Sequence, residues 1–145
     1  MKDMKRVFFL EVLLVWTMIM IGCGVNPGGT TGESATKNTY LQISAEEAAE
    51  IIVTENNYVI LDVRTLQEYQ EGHIPGAICI PNETIGSEEI AKLPDKDQLI
   101  LVYCRSGNRS KQAAQKLVQL GYTNVVEFGG IRDWAGETVT GSEGE

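Results

Sequence analysis

The feature that most constrains the fold of this chain is the apolar run QLILVY at residues 98–103. Its apolar side chains follow one another without alternating with polar ones, which is typical of a strand buried on both faces. Shorter or similar runs occur at 39–43, 58–63, 76–81 and 124–128, and segments with helical signals lie between them. Strands that alternate with helices predict an α/β fold, in which helices cover both faces of a parallel sheet.

Signals for helix ends support this alternation. Capping boxes of the form S/T-x-x-E occur at residues 44–47 and 65–68, each at the start of a helical segment. A longer helix is predicted over 110–120, where apolar residues recur on one face. The remaining predicted helices are short, with one or two turns at 87–93, ended by Pro94, and a last helix at 131–136.

The first 22 residues form a separate segment. A basic start at residues 2–6 precedes a short apolar run that ends at Cys23, as in a secretory signal peptide. Residues 20–23, MIGC, resemble the lipobox of bacterial lipoproteins, whose cysteine is lipidated and becomes the new N-terminus. An uncleaved membrane helix is the alternative, although the run is shorter than the about 20 residues that a span needs. Both alternatives place the domain outside the cytoplasm, and lipidation at Cys23 would anchor it to the membrane of the cell envelope.

Composition divides the rest of the chain. Residues 23–39 are rich in Gly, Thr, Ser and Asn and cannot bury enough apolar surface to fold, which predicts a flexible tether. Residues 139–145 are predicted to be a polar tail, so the folded domain is predicted over 40–138. The net charge of −8 excludes nucleic acid as a favoured partner, because nucleic acid binding needs a basic face.

Cys104 directly follows the most apolar run and opens the stretch CRSGNRS. Ligands of parallel α/β sheets bind beyond the carboxyl ends of the strands, where this cysteine is expected. The thiolate is the reactive form of cysteine, and its pKa falls near positive charge or a helix N-terminus. An ordinary turn with a merely buried cysteine is the alternative, but it gives two flanking arginines no packing role. The loop can form an anion cradle of backbone N–H groups, hydroxyls and guanidinium groups, from Arg105, Ser106, Gly107, Asn108, Arg109 and Ser110.

Three blocks of the sequence resemble the rhodanese sulfurtransferases. Residues 102–117, VYCRSGNRSKQAAQKL, resemble the active-site loop of that family. Residues 61–81, LDVRTLQEYQEGHIPGAICIP, are similar to its acidic-x-Arg and GHIPGA segment. Residues 126–136, VEFGGIRDWAG, are similar to its Gly-Gly-x-x-x-Trp element. The blocks follow the order and spacing of the family and, with the predicted elements, cover about residues 40–138.

The resemblance implies a five-stranded parallel sheet flanked by helices on both faces. It implies that Cys104 is a nucleophile that takes the outer sulfur of thiosulfate or a related donor. The resulting persulfide would pass the sulfur to cyanide or to a thiol, including a protein thiol. The backbone of residues 105–109 would stabilise the persulfide, and Arg105 and Arg109 would hold the anionic donor. No cofactor is implied, and the sequence has neither a nucleotide-binding glycine fingerprint nor metal-ligand spacing.

Two other functions are alternatives to sulfur transfer. Related cysteine phosphatases need Cys-x5-Arg, which would put the arginine at the position of Ser110. Since Arg109 closes a loop one residue shorter, the spacing favours sulfur transfer. The other alternative is a binding or relay module on the same fold, in which Cys104 carries sulfur or an oxidised state without turning over thiosulfate. The intact loop favours the enzyme.

Residues outside the loop allow more than one role. Asp62 and Arg64 end a strand at the same edge of the sheet, where they either support catalysis or form a structural ion pair. His73 is the only histidine in the sequence, and a structural role is favoured over that of a general base. Cys79 either packs in the core, forms a disulfide with Cys104 or resolves the persulfide.

Overall fold

The computed structural model describes residues 39–86 and 88–142. The predicted signal peptide, the predicted lipid-attachment residue Cys23 and nearly all of the predicted tether lie outside the described residues. Within the two described ranges, no helix is long and apolar enough to cross a membrane.

The described residues form a sheet of five strands and three α-helices. The strand order is β1-β5-β4-β2-β3 and each pairing is parallel, which confirms the predicted α/β fold and the number of strands. Two 3₁₀ turns, at Asn82–Thr84 and Ile131–Asp133, follow the third and fifth strands. In chain order the elements are β1 (Leu41–Gln42), α1 (Ala45–Thr54), β2 (Tyr58–Asp62), α2 (Leu66–Glu71), β3 (Ile78–Cys79), β4 (Leu99–Cys104), α3 (Asn108–Gln119) and β5 (Val125–Gly130).

Strand β4 lies at the centre of the sheet, and its side chains contribute to the core on both faces. Ile100, Val102 and Cys104 pack in a cluster with apolar residues of α3. Leu101 and Tyr103 pack in a second cluster with residues of α1 and α2. These five residues are at most 1 % exposed. Helices therefore cover both faces of the sheet, as predicted.

Both predicted capping boxes are present. At the start of α1, the Ser44 hydroxyl accepts a hydrogen bond from the Glu47 N–H at 3.2 Å, and the Glu47 carboxylate accepts one from the Ser44 N–H at 2.8 Å. Thr65 and Glu68 make the same reciprocal pair at the start of α2, at 3.2 and 3.1 Å. Helix α2 has only six residues, and its capping box fixes Glu68 in the first turn.

One predicted helix is absent from the described residues, and another is shorter than predicted. The helix predicted over 87–93 is absent from the described residues 88–93, which form a bend and one turn, with a hydrogen bond from the Leu93 N–H to the Ile90 carbonyl oxygen at 2.8 Å. That single turn buries Leu93 in the core, and the segment is too short to sustain a helix before Pro94. The helix predicted over 131–136 is limited to one 3₁₀ turn.

Contacts of the domain continue past residue 138. Val139 and His73 exchange two backbone hydrogen bonds, of 2.8 and 2.9 Å. The Gly141 N–H donates to the Gln70 carbonyl oxygen at 3.0 Å. The first residues of the predicted polar tail are therefore bound to α2 and to the segment that follows it.

Candidate active site

Cys104 is the last residue of the central strand. The pairing of β4 with β5 changes register between Val102 and Cys104, so that Cys104 lies opposite Gly130. Cys104 is buried, with 1 % of its surface exposed, and the chain leaves the sheet directly after it. Residues 105–107 then turn the chain into α3, which begins at Asn108. The sulfur thus lies between the end of a buried strand and the N-terminus of a helix.

The turn between β4 and α3 depends on Gly107. Its φ is +97°, in the left-handed region that favours glycine. In this conformation the Gly107 N–H donates a hydrogen bond to Cys104 Sγ at 3.1 Å. Asparagine also tolerates a positive φ, but Asn108 does not adopt one and is the first residue of α3. Gly107 is therefore the only left-handed residue of this loop.

Opposing effects act on the Cys104 thiol. Burial raises its pKa, because a low-dielectric environment disfavours the charged form. Hydrogen bonds with the Ser110 hydroxyl and with the N–H groups of Ser110, Ser106 and Gly107 lower it more, so the pKa of Cys104 lies below its usual value. The loop therefore favours the thiolate, which is the nucleophilic form.

The active-site loop is seated directly on the end of β5, and Gly130 makes this possible. A Cβ atom at residue 130 would lie 2.4 Å from the Arg105 carbonyl oxygen and 2.7 Å from Ser106 Cα. Since both neighbours are backbone atoms, no side-chain rotation could relieve the contact. A glycine at this position is needed for the loop to approach the sheet so closely.

Arg109 is held by a residue of another element. Its guanidinium group donates to both carboxylate oxygens of Glu68 on α2, at 2.7 and 2.8 Å. The two side chains are about a quarter exposed, at 26 and 24 %. Hydrogen bonding with Arg109 is the largest effect on Glu68 and lowers the pKa of that carboxyl from 4.5 to about 2. The family resemblance implied that Arg109 binds the sulfur donor. In the structure, Arg109 also forms an ion pair that fixes the loop against α2.

Arg105 and Ser106 lie at the open side of the loop. Both residues are exposed. Within the described part of the chain, the Arg105 guanidinium makes no hydrogen bond or ion pair, so its charge is available to an anion in solution. In contrast, Ser110 is buried in the first turn of α3, behind the sulfur.

A family model described as a rhodanese-like domain matches residues 44–137, which include the sheet, the helices and this loop. The chain belongs to the rhodanese-like domain family. The thiosulfate sulfurtransferase PspE of Escherichia coli is 40% identical over 81 residues, which are 56% of this chain and 78% of that protein. A Bacillus subtilis protein provisionally named a sulfur carrier, YrkF, is 33% identical over 110 residues, which are 74% of this chain and 58% of that protein.

A solved structure leads to the same family. It is described as a rhodanese with anions from E. coli and is 41% identical in sequence. It superimposes with a TM-score of 0.53 and covers 58% of this chain and 99% of its own. The family, the fold and these relatives together support a sulfurtransferase.

In this rhodanese-like domain, Asp62 and Arg64 form a buried ion pair. Arg64 donates to both Asp62 carboxylate oxygens at distances of 2.6 to 3.0 Å and to the Gly72 carbonyl oxygen at 2.6 Å. Its guanidinium group also lies 5.7 Å from the centre of the Tyr103 ring, which packs on the face opposite to Cys104. These contacts favour the structural role, because they fix the segment between β2 and β3.

His73 is also engaged in structural contacts. Its Nδ1 donates to the Tyr69 carbonyl oxygen at 2.8 Å, and its ring stacks on that of Tyr69 at 3.6 Å. It is buried and bound through its backbone to Val139. These contacts favour the structural role over that of a general base. No cluster of side chains that could hold a metal ion occurs within residues 39–86 and 88–142.

Cys79 lies on the other side of the sheet from Cys104. Both cysteines are buried, but Cys79 belongs to the core cluster under α1 and α2, and Cys104 to the cluster under α3. Strand β2 separates their two strands. Neither a disulfide with Cys104 nor direct attack on its persulfide is compatible with this arrangement, which leaves the core role.

The sequence reasoning missed one charged residue behind the loop. Glu127 lies in β5, is only 2 % exposed, and accepts a hydrogen bond from the Ser110 hydroxyl at 2.6 Å. The available signal was a carboxylate within an apolar run that was predicted to be a buried strand. A buried charge is rare unless it is hydrogen-bonded, so its position alone pointed to the site.

Proposed function

We propose that this protein is a sulfurtransferase that moves a sulfane sulfur from thiosulfate or a related donor to cyanide or a thiol through a persulfide on Cys104. The hydrogen bond of 3.1 Å from the Gly107 N–H to Cys104 Sγ carries the proposal. It belongs to a loop that lowers the pKa of the thiol and directs backbone donors at its sulfur. The same donors can stabilise an anionic persulfide, which carries its charge on the added sulfur.

The proposed reaction has two steps. The Cys104 thiolate attacks the outer sulfur of thiosulfate, whose sulfur–sulfur bond breaks, and its electron pair leaves with sulfite. This step forms a Cys104 persulfide. In the second step, cyanide or a thiolate attacks the outer sulfur, and the Cys104 thiolate leaves with the electron pair of the broken bond. The products are thiocyanate or the persulfide of the acceptor, and no external oxidant or reductant is needed.

The proposed roles of the two loop arginines differ. Arg105 is exposed and unpaired among the described residues, so it is the group proposed to hold the anionic donor. Arg109 is paired with Glu68 and is proposed to brace the loop, and its positive charge also acts on the thiolate. Asp62 and Arg64 support the site only through the fold.

A sulfur-relay module is the second candidate, favoured by the similarity to a protein provisionally named a sulfur carrier. Such a module would load sulfur on Cys104 but would transfer it only to a specific protein thiol. Rapid turnover with thiosulfate and a small acceptor would exclude it. Loading without turnover would favour it over the enzyme.

We also propose that the domain is attached to the cell envelope through lipid on Cys23. The support for this proposal is the sequence of the first 23 residues, with a basic start, an apolar run and the MIGC stretch. The substrates would then be met outside the cytoplasm.

The test of the function is mass spectrometry of the purified full chain after treatment with thiosulfate. We expect the peptide that contains Cys104 to gain the mass of one sulfur atom and to lose it when cyanide is added. Cys104→Ser should gain none, whereas Cys79→Ser should behave like the wild type. Sulfur on Cys79 alone, or unchanged transfer by Cys104→Ser, would refute the proposal.

A further inference from the structure

Glu127 is a buried carboxylate that the proposed reaction does not use. Its Oε1 accepts hydrogen bonds from the Ser110 hydroxyl at 2.6 Å and from the Gly129 N–H at 2.9 Å. No lysine, arginine or histidine forms an ion pair with it in the described ranges. Burying an unpaired carboxylate is costly, and two neutral donors offset only part of that cost. Both donors belong to the segments that enclose the active-site loop.

The Ser110 hydroxyl connects this carboxylate to the loop. It has one proton to donate, but several acceptors surround it. Glu127 Oε1 lies at 2.6 Å, and the carbonyl oxygens of Gly107 and Gly129 lie at 2.9 and 3.3 Å. Hydrogen bonding by the same hydroxyl also lowers the pKa of the Cys104 thiol. A carboxylate makes shorter and stronger hydrogen bonds than a neutral carbonyl, so the proton belongs mainly to Glu127.

We propose that Glu127 is a positioning residue of the active site, which competes with the sulfur of Cys104 for the single proton of the Ser110 hydroxyl. This competition weakens the stabilisation that the hydroxyl gives to the sulfur and leaves a larger share of it to the backbone N–H groups of Ser106, Gly107 and Ser110. These fix its position but neutralise less of its charge than an added hydroxyl donor would. The sulfur consequently stays a strong nucleophile in the thiolate and a ready donor in the persulfide. The inference rests on Cys104 being the reactive thiol of the proposed function.

The other charged groups near the sulfur lie in different positions from Glu127. The Asp62–Arg64 pair packs beside Tyr103, on the opposite face of the sheet. On the face of Cys104, β2 contributes apolar side chains. The charged residues that act on the loop from this side are Arg105 beside the cysteine, Arg109 on α3, Glu68 on α2, Glu83 in the 3₁₀ turn after β3, and Glu127 on β5.

The test is the pH dependence of alkylation of Cys104 by iodoacetamide, measured on the peptide that contains this residue. Glu127→Gln keeps a carbonyl oxygen for the Ser110 and Gly129 donors but removes the charge. Because the neutral carbonyl oxygen is a weaker acceptor than the carboxylate, Ser110 then donates more to the sulfur. We therefore expect the midpoint of the profile to fall by about one pH unit. Glu50→Gln, on the exposed surface of α1, is the matched control and should leave the midpoint unchanged.

The same substitution in a Ser110→Ala background separates proton competition from simple charge removal. We expect Glu127→Gln to shift the midpoint less when the hydroxyl is absent. An unchanged midpoint in Glu127→Gln, or equal shifts in both backgrounds, would overturn the proposal. Thermal melts establish that each variant is folded.

If Glu127→Gln does not fold, Ser110→Ala decides alone. A hydroxyl whose proton belongs to Glu127 contributes little to the sulfur, so its removal should raise the midpoint by less than about half a unit. A larger rise would overturn the proposal. Alkylation needs no sulfur donor, so a failure of thiosulfate transfer in the wild type would count against the proposed function and leave this inference standing.

Discussion

At Cys104, the burial that protects the sulfur from solvent also disfavours its charge. The site resolves this conflict with hydrogen-bond donors that the fold has already placed, from the Ser110 hydroxyl and from the N–H groups of Ser110, Ser106 and Gly107. Backbone donors cost no side-chain entropy, and their positions are set by the start of α3. In the proposed function, the guanidinium group of Arg105 binds the anionic donor, and that of Arg109 braces the loop through Glu68.

Removal of the exposed guanidinium group tests this division. A charge-assisted hydrogen bond contributes about 1.5–3 kcal/mol, so Arg105→Ala should lower kcat/KM for thiosulfate by about 10- to 100-fold. Its melting temperature should stay unchanged, because Arg105 makes no contact that stabilises the described part of the fold. Lys111→Ala removes the same charge from the exposed side of α3 and serves as the control. Equal losses in both variants would show that net charge, and not Arg105, draws the donor.

The sequence was informative about which residues surround the sulfur but not about their partners. The pattern CRSGNRS was enough to expect an anion cradle around Cys104. The ion pair of Arg109 with Glu68 was not foreseeable, because it joins residues 41 positions apart that only the fold brings together. Glu127 carried a sequence signal, a carboxylate within an apolar run, but its partner Ser110 was not foreseeable because it lies on a different element.

At the scale of elements, the loop is fixed from two sides. Its backbone is pressed against Gly130 at the end of β5, and Arg109 joins it to α2 through Glu68. The sequence predicted that Glu68 caps α2 together with Thr65. The structure shows that it also forms an ion pair with Arg109, 41 positions away in the chain. The wrongly predicted helix at 87–93 lies away from these contacts, in a segment where one turn already buries the apolar Leu93.

Gly130→Ala tests the close approach of the loop to β5. The added methyl group would meet the Arg105 carbonyl oxygen at 2.4 Å, so the loop must move or the sheet must distort. We expect a loss of about 1–3 kcal/mol in the free energy of unfolding and a slower alkylation of Cys104. The control is Gly72→Ala, where an added Cβ meets nothing within 4 Å. The idea fails if both variants have the same stability and reactivity.

The ion pair between α2 and α3 makes a prediction about pH. In the folded protein, Arg109 lowers the pKa of Glu68 from 4.5 to about 2. The stabilisation is therefore fully present above about pH 4.5 and is lost as the pH falls towards 2. Since the pair is partly exposed, we expect it to contribute about 1 kcal/mol. Glu68→Gln keeps a capping oxygen but should lack this part of the pH dependence in denaturant unfolding at pH 2 to 6, and parallel curves for the two proteins would contradict the assignment.

For the whole molecule, the sheet separates two chemical environments. Cys104 lies under α3 at the end of β4, and Cys79 lies under α1 and α2. The alternation of apolar runs with helical segments was sufficient to predict this layered sheet. It was not sufficient to predict the 3₁₀ turn at Asn82–Thr84, because a single turn has no periodic signal.

The location of the whole molecule is tested at Cys23. If this residue is the lipid-attachment site, Cys23→Ala should leave the precursor unprocessed and without lipid. The measurement is mass spectrometry of the N-terminal peptide after expression in a bacterial host. The matched control is Cys79→Ser, which lies in the folded domain and should be processed normally. A mature wild-type chain that begins at any other residue would indicate a different signal.

The two outermost strands of the sheet, β1 and β3, pair over only two residues each. Each edge therefore presents very few free backbone donors and acceptors to the strand of another molecule. Open sheets can aggregate through their edge strands, but edges this short give another molecule few backbone groups to pair with.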